Sequence, residues 1–462
     1  MQLSQKEEIF ERYSIPKAVM TLSVPTMLSS LVMVLYSLAD TYFVGLLNDP
    51  VQSSAVTLAA PVLLAFNAVN NLFGVGGSSM MSRALGRKDY DTLRRSSSFS
   101  FYGALIFGVL FAVLCTVFRT PLLAMLGADA FTSLPTSQYL NWTVTWGAVP
   151  AILNVVMAYL IRSEGSAMHA SIGTMSGCFL NIILDPIFVL PWGLGMGAAG
   201  AALATFLSNT AALMYFLAYL LINRRTTCVC ISPKAFCLRK NIVLGVFGVG
   251  VPASIQNLLN VTGMTILNNF ASPFGAQALA AMGICTRINQ VPLQLFFGMS
   301  QGIMPLVSYN YASGNIPRMK KAIYFTRRFA VCFCVAVSVF FFLCPGLMVR
   351  LFINDAGTIA YGSKFLRGFC LALPFMCVDF IAVNVFQAVG MGRESLLFAI
   401  LRKIVIEIPA LLLLNALFPL YGLPFAQAIA EFVLAIAGTI ILTRFIRQQE
   451  AHMAVLRKLP DE

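Results

Sequence analysis

Long runs of apolar residues, each about as long as a bilayer is thick, follow one another along almost the whole chain. A membrane-spanning helix needs roughly 20 consecutive apolar residues. The runs do not alternate between apolar and polar residues as the strands of a membrane barrel do, and lipid tolerates only helices or closed barrels. The pattern therefore predicts an all-α membrane protein with twelve transmembrane helices, at about 18–47, 52–82, 96–118, 135–161, 169–190, 196–222, 241–271, 277–309, 322–347, 359–388, 397–418 and 422–446.

Composition agrees with this class. The chain has 462 residues, of which 58% are hydrophobic and 11% are charged, and its mean hydropathy is +0.81. Soluble domains carry about 25% charged residues. The first residues mix acids and bases and do not resemble a cleavable signal peptide. Cys228, Cys230 and Cys237 share one loop with a spacing that fits no zinc motif, so we expect incidental thiols.

The net charge of +13 is distributed unevenly along the chain. Of the 31 basic residues, 26 fall in loops that lie on one side of the predicted helices. This bias is typical of the cytoplasmic side of a membrane protein, so it places both termini in the cytoplasm and argues against nucleic-acid binding. The basic segments are 1–17, 83–95, 162–170, 223–240, 310–328, 390–403 and 444–462.

The two halves of the chain resemble each other weakly but in register. Four pairs of Gly or Pro residues recur at separations of 225 to 228: Pro25 and Pro252, Gly86 and Gly314, Gly165 and Gly390, and Gly197 and Gly422. A repeat of six helices returns the chain to its starting side, so the halves are expected to be parallel, pseudo-symmetric six-helix bundles.

The repeat predicts the domain organisation. We expect an N-terminal lobe at 18–222, a cytoplasmic inter-lobe loop at 223–240 and a C-terminal lobe at 241–446. Cytoplasmic segments at 1–17 and 447–462 flank them. By analogy with other two-lobed transporters, such a protein alternates access between the two sides of the membrane.

Two aspartates, Asp40 and Asp185, interrupt predicted helices. An ionisable group in lipid is costly and usually marks an ion or substrate pathway. They lie seven and five residues before the outer ends of their predicted helices, at 18–47 and 169–190. At about 1.5 Å per residue they reach a similar depth and can share one site. The simpler alternative is that both carboxylates cap helices or form hydrogen bonds near the lipid headgroups.

Polar neighbours extend this pair. Asn181 precedes Asp185 by four residues and Tyr36 precedes Asp40 by four, so each lies on the same helical face as its aspartate. Thr205, within a surface of small residues on the sixth helix, can face them. Together they would form a ligand set of oxygen atoms.

Pro186 adds a possible ligand, because it leaves the carbonyl of Ile182 without its usual helical donor. Oxygen ligands suit a hard cation such as Na⁺, and nothing nearby suits a transition metal. The same carboxylates, desolvated and close together, could instead exchange protons near neutral pH. These residues alone do not distinguish Na⁺ from H⁺ as the bound ion.

Four more charges lie in predicted helices of the C-terminal half: Arg287, Asp379, Glu407 and Glu431. A structural ion pair is the favoured interpretation, with Arg287 bonded to Glu431 or Asp379. A minority of the 37 Phe and 21 Met residues could line a cavity, where they would suit planar hydrophobic cations.

Several segments together resemble the multidrug and toxic compound extrusion (MATE) family over nearly the whole chain. The resemblance implies efflux of organic cations, driven by inward flow of H⁺ or Na⁺ across the bacterial inner membrane. It rests on Leu38–Gly45, Gly76–Asp89, Arg162–Gly165, Asn181–Pro186 and Phe386–Gly392.

The resemblance also indicates a branch. Asn71–Gly76 and Arg287–Asn289 are similar to MepA-type members from Gram-positive bacteria. NorM-type members carry a glutamate where this chain has Asn260, which removes that ligand from the C-terminal lobe. The first-lobe cluster resembles the DinF-type ion site, which implies coupling roles for Asp40, Asn181, Asp185, Thr205, Tyr36 and Asn154.

The expected protein is thus a secondary antiporter for small amphipathic organic cations. We expect a monomer in contact with membrane lipid, without a cofactor and with H⁺ or Na⁺ as the coupling ion. One alternative is a flippase for lipid-linked oligosaccharides, which shares the two-lobed plan but needs several cations for its anionic cargo. A membrane-embedded enzyme is a weaker alternative, because the only histidines, His169 and His452, lie at cytoplasmic positions without a metal-binding motif.

Overall fold

The computed structural model describes residues 4–456, and within that range it is helical with no strand. The outermost parts of the predicted segments 1–17 and 447–462 lie outside the described residues. Twelve long helices, α1–α12, carry the predicted apolar runs in the described part. They are α1 Ile15–Gly45, α2 Pro50–Gly86, α3 Tyr90–Val117, α4 Ser133–Ser163, α5 Ala167–Val189, α6 Ala198–Ile222, α7 Lys240–Ala271, α8 Ala276–Ala312, α9 Ile316–Leu343, α10 Ala356–Val389, α11 Gly392–Leu417 and α12 Leu423–Leu456.

Three of these helices contain a π-helical turn, in which backbone hydrogen bonds join residues five apart. The turns are Asn71–Val75 in α2, Asn141–Trp146 in α4 and Leu401–Glu407 in α11. In α4 the turn is followed by a bend of 49°. Shorter helices lie at Ser4–Glu11, Arg119–Met125 and Pro345–Arg350.

Length and apolar composition qualify nine of the described helices as membrane spans, or ten when the bent α4 is counted as one span. The other two long helices, α8 and α11, carry polar and charged residues within their length. The all-helical, two-lobed fold class is confirmed.

Helix starts follow capping chemistry rather than the apolar runs. The run at 96–118 predicts a later start than the observed Tyr90, because Asp89 caps α3 and accepts a hydrogen bond from Thr92 N at 3.0 Å. The hydrogen bonds from Thr92 lower the pKa of the Asp89 carboxyl. Asp355 caps α10 in the same way through Thr358 N, at 2.8 Å.

The chain folds into two compact units. Unit 1 comprises residues 28–254 and the chain up to Ile9, and unit 2 comprises Phe10–Met27 and the chain from Ile255 onward. The boundaries fall inside α1 and α7, whereas the sequence predicts one boundary in the loop 223–240. The first part of each of these helices therefore belongs to a different unit from the rest of that helix.

In unit 2, the first part of α1 packs closely on α8. Ser23 Oγ donates a hydrogen bond to the carbonyl of Met299 at 3.2 Å. A Cβ at Gly302 would lie 2.6 Å from Ser23 Cα, so this approach requires glycine. The close packing explains why this part of α1 belongs to unit 2.

In unit 1, the first part of α7 packs on α2 in the corresponding way. Ser254 Oγ donates a hydrogen bond to the carbonyl of Ala68 at 2.6 Å. A Cβ at Gly250 would overlap the carbonyl of Leu72. The same packing device thus recurs in each half of the repeat.

The inter-lobe loop is held against unit 1 by a buried carboxylate. Glu164, at the end of α4, is 1% exposed and accepts hydrogen bonds from Cys228 N at 2.6 Å and Thr227 Oγ1 at 2.9 Å. On α3, Ser97 Oγ accepts from Cys230 N at 2.9 Å. Tyr102 donates to the carbonyl of Ile231 at 2.9 Å. Residues 227–232 therefore form a strap fixed to α3 and α4.

Candidate functional site

Small residues let α5 and α6 pack closely enough to align their polar side chains. A Cβ at Gly177 would lie 3.1 Å from Ala212 Cβ and from the Ser208 carbonyl. At the start of α6, a Cβ at Gly200 would overlap the carbonyl of Phe188. Because backbones can approach this closely only at small residues, the pairing sets the register of α5 against α6.

That register places Asn181 between Asp185 and Thr205. With its amide in the orientation that satisfies both neighbours, Asn181 Nδ2 donates to Asp185 Oδ2 at 2.7 Å. Its Oδ1 accepts from Thr205 N at 3.1 Å and Thr205 Oγ1 at 3.2 Å. Asn181 is 1% exposed and Asp185 is fully buried. A carboxylate this deeply buried needs a partner, and the amide supplies one.

Asp40, on α1, lies within electrostatic range of Asp185. Its Oδ1 is buried and has no hydrogen-bond partner among the described residues. Tyr36, one turn earlier on α1, forms a hydrogen bond with Thr205. The structure therefore brings five predicted residues of unit 1 into one cluster and leaves one carboxylate oxygen of that cluster unsatisfied.

Tyr139 is a member of this cluster that the sequence analysis does not identify. It is 4% exposed on α4 and lies within electrostatic range of Asp40, Asp185 and Tyr36. A tyrosine near the start of an apolar run gives no signal in the sequence, since its relevance depends on how α4 packs.

Asn154 lies elsewhere. Its Nδ2 donates to Asn209 Oδ1 at 2.9 Å and to the carbonyl of Pro150 at 3.1 Å. It thus links α4 to α6 through another amide. Its hydrogen bonds among the described residues do not include either aspartate.

The cluster is chemically suited to a proton or a hard cation. Within residues 4–456, no group of three or more His, Cys, Asp or Glu residues is placed to hold a metal ion. The cluster instead combines two carboxylates with amide and hydroxyl oxygens. Oxygen ligands of this kind favour Na⁺, and the carboxylates can also carry protons.

Unit 2 contains a separate buried cluster of charges centred on Arg402. This arginine is 1% exposed, pairs with Asp379, and has its Nε 3.4 Å from Glu431 Oε1. Its guanidinium also lies 4.0 Å from the centre of the Phe380 ring. Both carboxylates are fully buried, so the arginine supplies the charge that compensates them.

The expected pairing of Arg287 with Glu431 or Asp379 is wrong. Arg287 is exposed on α8, and Arg402 takes its place. Arg402 lies where the predicted run 397–418 overlaps the basic segment 390–403, and α11, which begins at Gly392, carries this residue into the protein interior. The charge bias counts this arginine with the loop residues because a pattern along the sequence does not detect a buried partner.

The π-helical turn of α11 turns Glu407, which forms a second ion pair, toward the same interior region as Arg402. Glu407 Oε2 lies 2.7 Å from Lys403 Nζ, and both side chains are nearly buried. Residues five apart lie nearly one turn apart in a π-helix, so Arg402 and Glu407 both face the interior, where both are buried. The sequence predicts Glu407 among the structural charges but not its partner.

Comparison with known proteins identifies relatives of the whole chain. Residues 25–187 and 252–413 each match the MatE family model, and the two matches begin 227 residues apart, which confirms the predicted duplication. The multidrug export protein MepA of Staphylococcus saprophyticus subsp. saprophyticus is 36% identical over 436 residues, 94% of each chain. MepA of Staphylococcus aureus (strain MRSA252) is 34% identical over 435 residues, again 94% of each chain.

Solved structures agree with this relationship. An outward-facing multidrug resistance MATE family transporter of the MOP superfamily matches with a TM-score of 0.89 at 27% identity, over 99% of both chains. Crystal structures of MATE in the straight and bent conformations each match with a TM-score of 0.88 at 27% identity, over 98% of this chain and 99% of theirs.

Proposed function

The chain belongs to the MATE family and is a MepA-like multidrug efflux transporter, and from this premise we propose that it is a secondary antiporter. It exports amphipathic organic cations in exchange for H⁺ or Na⁺. It resides in the bacterial inner membrane as a monomer with both termini in the cytoplasm, as the bias of its basic loops favours. The relatives are named for multidrug export, which does not favour the flippase alternative.

The unsatisfied oxygen of Asp40, within electrostatic range of Asp185, is the observation that supports the coupling site. Two buried carboxylates within electrostatic range of each other repel when both are charged. A proton or a Na⁺ ion relieves that repulsion. Asn181 and Thr205 then contribute oxygen atoms or hydrogen bonds that hold the ion-binding geometry.

Antiport requires that the ion and the drug act in opposite directions on one conformational equilibrium. In the outward-facing state, the carboxylates take up the ion, which favours drug release and return to the inward-facing state. On the cytoplasmic side, loss of the ion permits drug binding. The direction of net export then follows from the ion gradient.

The relatives and the composition both support the proposed substrate class. Relatives named multidrug export proteins match 94% of this chain. The many Phe and Met residues supply faces that attract cations and side chains that repack around different shapes. Amphipathic organic cations such as ethidium are the matching probe.

Drug efflux from proteoliposomes under separately imposed pH and Na⁺ gradients tests the proposal. We expect ethidium movement to follow one of the two gradients in the wild type. It should stop when the concentration of that ion is equal on both sides of the membrane. Movement that is independent of both gradients would refute antiport. Transport of a pyrophosphate-linked lipid without any drug movement would favour the flippase instead.

A further inference from the structure

A groove opens at the surface of unit 2, where the start of α9 lies beside the end of α12. Its volume is about 710 Å³. Lys320, Lys321 and Arg328 line it together with Tyr324, Phe329 and Glu450. The three cations belong to the basic segment 310–328, which the charge bias assigns to the cytoplasmic side.

The groove has a surplus of positive charge. Lys320 Nζ is neutralised by Glu450, whose Oε1 lies 2.8 Å away. Lys321 and Arg328 are exposed, and neither forms an ion pair with another described residue. Two cations therefore face this groove uncompensated, which makes it a poor site for a cationic drug and a good one for an anion.

The surface of α9 that follows these charges along the helix is apolar. Past Arg328, the exposed residues of α9 include Phe329, Val335, Val339 and Phe340, which are 38–52% exposed. The helix is apolar and long enough to span a membrane. The cationic groove at the start of α9 is thus followed along the same helix by exposed apolar residues, as the headgroup and acyl chains of a lipid require.

We propose that this groove binds the phosphate headgroup of an anionic phospholipid, of which phosphatidylglycerol is the simplest bacterial-type example. Lys321 and Arg328 contact the phosphate, and the rings of Tyr324 and Phe329 pack against the glycerol and the first carbons of the acyl chains. Basic pockets beside transmembrane helices on the cytoplasmic side bind anionic headgroups by the same physics. The proposal requires only that α9 spans the membrane, and it is independent of the ion-coupling site.

Native mass spectrometry of the full-length protein tests it, with the detergent-purified chain offered phosphatidylglycerol or phosphatidylcholine. We expect preferential retention of phosphatidylglycerol. Lys321→Gln with Arg328→Gln should reduce that preference about 30-fold, since each cation near the surface contributes ~1 kcal/mol. The matched control, Arg224→Gln with Arg225→Gln, removes the same charge from two exposed positions of unit 1 and should keep the preference.

Further arms of the experiment separate the sources of the bound phosphate. Free glycerol phosphate at the same concentration should not displace the lipid, and displacement would overturn the lipid assignment. Phosphatidylglycerol binding seen only after removal of residues 457–462 would assign the groove to the C-terminal tail instead. Equal retention of both lipids, or an unchanged preference in the folded groove variant, would also refute the proposal. Helicity and elution volume establish that each variant is folded.

Discussion

Asn181 and Asp185 stand one helical turn apart on α5, with the amide of one donating to the carboxylate of the other at 2.7 Å. Thr205, on α6, fixes the orientation of that amide through its own backbone N–H and hydroxyl. The charge state of Asp185 is therefore linked to the packing of α5 on α6. The expected effects of replacing the aspartates and Thr205 depend on this relationship.

Replacing either aspartate should abolish coupling. Asp185→Asn and Asp40→Asn each remove a carboxylate from the buried pair, so the site can no longer gain and lose a cation. We expect gradient-driven ethidium efflux from proteoliposomes to fall to the level of empty vesicles. Asp129→Asn, at an exposed turn of unit 1, serves as the control and should transport normally. Wild-type efflux by the Asp185 variant would disprove the assigned site.

Thr205→Val should weaken ion binding without stopping transport. The substitution removes the hydroxyl that contacts Asn181 and Tyr36, and a neutral hydrogen bond contributes about 0.5–1.5 kcal/mol. The coupling-ion concentration for half-maximal efflux should rise roughly 2- to 10-fold. Thr210→Val, on the same helix, removes only a bond to the carbonyl of Phe206 and should leave this concentration unchanged. Equal shifts in both variants would contradict the prediction.

Arg402→Met should strongly destabilise unit 2. It leaves the buried carboxylates of Asp379 and Glu431 without a compensating charge, a change that costs about 3–5 kcal/mol in comparable buried networks. The melting temperature in detergent measures this loss. Arg95→Met removes an exposed ion pair with Asp91 and should leave the melting temperature almost unchanged.

A combined variant distinguishes charge imbalance from lost packing. Arg402→Met together with Asp379→Asn and Glu431→Gln removes the whole set of charges. We expect it to recover part of the melting temperature lost by Arg402→Met alone. A triple variant less stable than the single variant would show that the carboxylates do not depend on Arg402 for compensation.

Glu164→Ala should release the strap formed by residues 227–232. The buried carboxylate accepts hydrogen bonds from Thr227 and Cys228, and bonds to charged groups contribute about 1.5–3 kcal/mol each. Trypsin cleavage within 223–240 should therefore accelerate at least about 10-fold, because cleavage follows the population of the open form. Asp129→Ala, which alters the exposed turn between α3 and α4, should leave the cleavage rate unchanged. Wild-type protection in the Glu164 variant would mean that the α3 contacts alone hold the strap.

Helix boundaries show where sequence patterns lose resolution. Hydropathy detects the apolar part of a helix, so the run at 96–118 omits the first turns of α3, which begin at Tyr90 after the Asp89 cap. The division of the chain into two units is even harder to predict from sequence patterns. Close packing at Gly302 and Gly250 assigns the first parts of α1 and α7 to different units from the rest of these helices. No local pattern encodes such a boundary.

The sequence by itself determined the helical membrane class, the duplication and the aspartates that need a functional reason. These features depend on composition, periodicity and the cost of charge in lipid, which act locally along the chain. Only the tertiary structure decided which groups meet: Tyr139 with the aspartates, Asn154 with Asn209, and Arg402 in place of Arg287. Partner choice depends on how each helix is rotated and how closely its neighbours approach, and contacts distant in sequence set both.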